Sequence, residues 1–141
     1  MKIFFAVLAL VVSQNALAYP VAGDMAEFKN VDGSILTLKN NGYDAANHVW
    51  NVEVSQNGQV SVEKFTDADM ATEKNVAAVL SQCVQSSGTP ETVVVPAGTF
   101  PACKFSNQSG GSTWIADVPF GMVKVVTAEL SLELTSFTAV K

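Results

Sequence analysis

Cys83 and Cys103 are the only cysteines in the 141-residue chain. Two thiols in an oxidising compartment invite one disulfide. Closing a loop of this size is worth roughly 3 kcal/mol in the chain-entropy model. That is a large share of the ~5–15 kcal/mol that holds an ordinary domain together. A metal site is the weaker reading, because thiolate sites want four ligands and only His48 could join.

The N-terminus supplies the compartment. Lys2 gives a short positive region and Ile3 to Val12 an unbroken apolar run, and Ala16-Leu17-Ala18 places small residues where a signal peptidase cuts. The run falls short of the roughly 20 residues that a permanent span needs. Residues 1–18 therefore read as a signal peptide cleaved after Ala18. Residues 19–141 read as one mainly-β domain, exported to the periplasm or secreted. All eight basic residues are lysines, and the formal charge of the whole chain is −5. Loss of Lys2 makes the mature chain more acidic still. Without arginine or a basic patch, nucleic acid and anionic membrane surfaces are poor partners. No second apolar run reaches membrane-spanning length.

Turn signals divide the chain into short strands. Met25 to Val31 and Ser34 to Lys39 flank Asp32-Gly33, a hairpin signal. Ala26 and Phe28 share one face of the first strand, Leu36 and Leu38 one face of the second. Asn40-Asn41-Gly42 breaks the pattern. His48 to Ser55 then alternates, with Trp50, Val52 and Val54 pointing one way. For the next strand, Gln59 to Phe65, a three-residue loop Gln56-Asn57-Gly58 sets Val54 against Val60 and Val52 against Val62. A two-residue turn mixes the faces, so burial favours the longer loop. Thr66 to Asp69 opens the one helical pattern, capped by Thr66. Its apolar stripe is Val76, Leu80 and Cys83, widened by Ala77 and Val84. Strands resume at Glu91 to Val95 and Thr99 to Phe105. Here Pro96-Ala97-Gly98 closes a three-residue loop that puts Val94 beside Phe100 and Thr92 beside Ala102. Gly58 and Gly98 are both expected at positive φ. Ser112 to Ala116, Met122 to Glu129 and Ser131 to Thr138 complete the antiparallel run.

Catalytic chemistry finds little to use. His48 is the only histidine, and no nucleophile elbow such as G-x-S-x-G is present. Asp67, Asp69 and Glu73 lack the glycine and distal glutamate of a calcium loop and suit the start of a helix. Gly110-Gly111 lacks the ending of a phosphate loop. Asn107-Gln108-Ser109 matches a glycosylation acceptor, which matters only in a eukaryotic secretory pathway. The reading is a non-enzymatic protein with no cofactor and no metal.

Cys83, Glu91 to Phe100, Cys103 and Thr113 to Lys124 together resemble a group of exported bacterial proteins that has no established activity, with a looser match at Gly23-Asp24. These proteins look like small curved antiparallel sheets around a helix, similar to the half-barrel of periplasmic lipoprotein carriers. The resemblance implies an antiparallel half-barrel with one packed helix, and a carrier for an apolar or envelope-derived ligand. Trp50, Trp114, Phe120 and Met122 are then the candidates to line the ligand site. The alternative is a structural or protein-interaction module of the cell envelope with a fully packed core. A cavity of ~300 Å³ or more lined by Trp50, Trp114 and Phe120 would favour the carrier. A filled core with an exposed apolar edge would favour the module.

Overall fold

The computed structural model describes residues 19–140; the signal-peptide reading falls on residues outside them. Among these residues nine strands form one antiparallel sheet, curved but not closed, with a single helix. The strands are β1 (Met25–Asn30), β2 (Ile35–Asp44), β3 (Val49–Gln56), β4 (Gln59–Thr66), β5 (Thr89–Val95), β6 (Gly98–Ser106), β7 (Ser112–Ile115), β8 (Met122–Val126) and β9 (Ser131–Thr138). The helix, α1 (Glu73–Ser81), lies between β4 and β5. The order across the sheet is β4-β3-β2-β1-β9-β8-β7-β6-β5. The two strands that flank the helix in sequence are thus the two edges of the sheet. Among the described residues no helix is long and apolar enough to cross a membrane.

The core sits where the sheet curls. Ala26, Phe28, Val123, Leu134, Ala116 and Val118 are wholly buried, with Val93, Val95 and Ala102 packed against them. Ala26 and Phe28 face Leu38 and Leu36 across the first hairpin, as their alternation predicts. At the far end of the curl, the turn between β5 and β6 reaches back to β9. There the Ala97 amide donates to the Leu134 carbonyl at 3.0 Å, and Phe100 meets Phe137 with ring centroids 6.2 Å apart.

Cys83 and Cys103 are joined, with Cα atoms 5.7 Å apart. The bond ties the turn after α1 to β6, and both cysteines are buried. Gly88 closes that turn by donating its amide to the Cys83 carbonyl at 2.7 Å. A Cβ at Gly88 would overlap the Cys103 sulfur, so only glycine fits beside the disulfide.

Both hairpin registers differ from the sequence reading. Asn57-Gly58 is a two-residue turn with φ of 52° and 85°, and it pairs Val54 with Ser61 and Val52 with Glu63. Positive φ at both central residues is the geometry that follows the natural twist of the strands. Matching of faces could not override it, because β4 buries neither face: of its residues only Phe65 is even partly covered. Likewise Pro96-Ala97 is a two-residue turn. Gly98, at φ 147°, is already in β6, which pairs Val93 with Phe100 and Glu91 with Ala102. Both glycines do have positive φ, but neither ends a three-residue loop. Val93 and Val95 are buried, while Val94 is 69% exposed.

The helix begins later than its first cap signal. Thr66 still belongs to β4, and its hydroxyl and amide both bind the Asp69 carboxylate in a closed turn. Thr72 caps α1 instead, its hydroxyl oxygen accepting the Asn75 amide at 3.0 Å. Val76 is buried, Val79 and Leu80 are half-buried, and Ala77 and Val84 face solvent. Asn40 to Gly42 does not end β2 but kinks it, with a register shift that leaves Asn41 extra.

Candidate functional site

A concavity with a largely apolar lining lies between α1 and the sheet. It is an open cleft of about 320 Å³. Met70, Val76 and Val79 form one wall, and Phe105, Ile115 and Phe120 the other. The Ala116–Gly121 turn shapes the cleft. The Ala116 amide donates to the Gly121 carbonyl at 2.9 Å and the Gly121 amide to the Val118 carbonyl at 2.8 Å. This forces Phe120 and Gly121 to φ of 67° and 73°. A Cβ on Gly121 would come within 3.0 Å of the Ala71 Cβ, so this glycine lets the turn approach the start of α1.

Tyr19 locks the same corner. Its carbonyl accepts the Glu73 amide at 3.0 Å, the first of α1. Its hydroxyl donates to Asp117 Oδ1 at 2.8 Å. Burial, and then the hydrogen bond and charge of Asp117, push the Tyr19 phenol far above its ordinary value. A raised folded-state value means the neutral phenol contributes its stability in full below about pH 10. That contribution declines as pH rises beyond it. Unfolding midpoints measured from pH 8 to 11.5 should therefore fall more steeply above pH 10 for the native chain than for Tyr19→Phe. Parallel curves would show that the phenol's surroundings do not matter.

Trp114 stands elsewhere, on a cross-strand row. Lys104, Trp114, Lys124 and Glu133 are successive partners across β6, β7, β8 and β9, and Lys29 of β1 follows. The indole lies between two ammonium groups, with Lys104 Nζ 5.2 Å and Lys124 Nζ 5.1 Å from the ring centroid. Its N–H donates to Glu91 Oε2 at 2.7 Å, and Lys124 reaches Glu133 at 3.8 Å. Trp114, Glu91, Lys124 and Glu133 thus engage one another, and the row ties neighbouring strands together.

Trp50 lies on the other side of the sheet order, against Tyr43 (centroids 4.8 Å apart) and opposite Phe65 on β4. The Tyr43 hydroxyl is 3.3 Å from His48 Nδ1. His48 belongs to the loop before β3 at φ 54°, not to the strand. Met122 is half-buried against the core. Of the four candidate lining residues, only Phe120 borders the cleft. Two further concavities, one beside Lys29 and Pro96 and one between the β6–β7 and β8–β9 turns, are bordered by none of the four. Among the described residues no cluster of three or more His, Cys, Asp or Glu is placed to hold a metal.

Two neighbouring apolar side chains stand exposed on the β4 edge of the sheet. Val60 and Val62 of β4 are 60% and 57% exposed. The sequence reading had turned both inward with Val52 and Val54. The signal that places them outward is the Asn57-Gly58 pair itself. In comparisons with protein-family models, curated proteins and solved structures, this chain matches nothing.

Proposed function

We propose that this is a non-enzymatic interaction module of the cell envelope, exported to the periplasm or secreted, that engages a partner strand through an open edge of its sheet. The observation that carries this reading is the pairing of a filled core with an apolar edge. Phe28, Leu134, Val123 and Val118 are fully buried, while β4 displays two valines on a strand with a free side. An unpaired strand edge is a ready template for another strand. The buried disulfide suits an oxidising compartment.

A second reading, carriage of an apolar or envelope-derived ligand, draws support from the cleft beside α1. Its volume is in the range of small-molecule sites, and Met70, Val76, Val79, Phe105, Ile115 and Phe120 give it an apolar lining. Titration of delipidated protein with a fluorescent fatty acid separates the two readings. The interaction module leaves probe fluorescence and Trp emission unchanged. Saturable binding that Phe120→Asp abolishes, with the fold intact by circular dichroism, would establish the carrier and displace the module.

A further inference from the structure

We infer that the partner of β4 is the β4 of a second copy of this chain, paired antiparallel about a two-fold axis at Val62. This rests on the interaction-module reading and names its partner.

The two edges of the sheet are not equally available. Residues flanking a two-residue turn form a hydrogen-bonded pair, and backbone direction alternates from there. On β5, Val95 pairs with Gly98 beside the turn, so the backbones of Val94, Thr92 and Pro90 point away from the sheet. Pro90 has no N–H to offer there, which blunts that edge. On β4, Gln59 pairs with Gln56 beside the turn, so Val60, Val62 and Lys64 present free N–H and C=O groups outward. This edge carries no proline, and its pairing with β3 shows no bulge. Of the two edges, β4 is the one that no proline interrupts.

The sequence of β4 then selects the partner strand. Centred on Val62, an antiparallel copy sets Val62 against Val62, Val60 against Lys64, Ser61 against Glu63 and Gln59 against Phe65. No like charges meet. The lysine stem can cover Val60 while its ammonium stays in solvent. Shifting the axis to Glu63 opposes two carboxylates, and shifting it to Lys64 opposes two ammonium groups; both cost stability. Moving it to Ser61 runs the ends of the strands into the Asn57-Gly58 turns. A parallel in-register pair would stack Glu63 on Glu63 and Lys64 on Lys64. The Val62-centred arrangement is isologous and closes on itself, so it yields a dimer with one continuous sheet and not a fibre.

The test uses the protein spanning residues 19–141. Sedimentation velocity at roughly 100 μM, a range suited to a small interface, should show a dimer. Val62→Pro removes only outward N–H groups, and a proline is tolerated on an edge strand at such a position. It should weaken association at least about tenfold, because two backbone hydrogen bonds of the symmetric pair are lost. Its thermal unfolding should stay close to that of the parent monomer. Under mild oxidation Val62→Cys should form a covalent dimer, since a directly opposed pair has Cα atoms ~5.5 Å apart, within disulfide reach. Val60→Cys should not, because the two copies lie four residues, about 13 Å, out of register.

A dimer that survives Val62→Pro, or equal cross-linking at both cysteine positions, overturns the proposed pairing. A wild-type chain that is monomeric throughout overturns it too. In that case the fatty-acid titration decides separately whether the broader interaction reading falls with it.

Discussion

Phe28→Ala should lower the free energy of unfolding by about 3–5 kcal/mol, the cost of deleting a large side chain that its surroundings cannot fill. Phe28 is fully buried on β1, the strand between β2 and β9. It lies between Leu36 on one neighbour and Leu134 on the other. Urea titration followed by circular dichroism measures the loss. A loss under 1 kcal/mol would mean that the curl of the sheet is loosely packed, against the reading of a filled core. The same variant offers a second readout. An apolar void of this kind binds small hydrocarbons, so benzene should raise the melting temperature of Phe28→Ala and leave the parent unchanged.

Removing the disulfide by Cys83→Ser with Cys103→Ser should cost about 3 kcal/mol, again read by urea titration. Gly88→Ala should be severely destabilising in the disulfide-bonded protein, since its Cβ would overlap the Cys103 sulfur and approach the Cys83 carbonyl to 2.9 Å. In the double-serine background the side chains are no longer bonded and can rotate aside, so the same alanine should cost much less. A double-mutant cycle reads that difference directly. Equal costs in the two backgrounds would show that Gly88 serves the backbone turn alone.

What the residues revealed, and what they concealed, follows from which force fixed each element. Ala26, Phe28, Leu36 and Leu38 alternate because one face of their hairpin is buried, so their strands and orientation were plain. The disulfide was legible because two cysteines in a chain that reads as exported have one simple use, each other. The two registers were misread for a shared reason. Setting Val54 against Val60 and Val94 beside Phe100 assumed that those valines seek the core. Yet Asn57-Gly58 and Pro96-Ala97 impose two-residue turns, and Val60, Val62 and Val94 are left in solvent. At β4 local turn chemistry outweighs pattern, since there is little burial to oppose it; at β5 the core takes Val93 and Val95 and leaves Val94 outside. The helix start was misplaced because Thr66 and Thr72 can each cap, and only the pairing of Thr66 with Val49 shows that it is still strand. The candidate lining residues scattered for a geometric reason. Trp50 and Trp114 belong to opposite halves of the strand order, a separation that spacing along the chain does not encode.

Asp24 is buried at 1% exposure and accepts two amides at 2.8 Å, from Val21 on one side and Val140 on the other. One carboxylate thus fastens the beginning of β1's approach to the exit of β9. Every other neighbouring pair in the sheet joins strands adjacent in sequence, whereas β1 and β9 meet across nearly the whole chain. That one seam carries most of the loop-closure entropy of the fold. Two meanders, β1 to β4 and β5 to β9, can each form from local contacts. The core that Phe28 and Leu134 share exists only once the seam is zipped. For a chain made from its N-terminus, β1 must wait with an apolar face open until the last strand is delivered. Such a polypeptide profits from being held unfolded until it is complete, as a chain threaded across a membrane before folding would be.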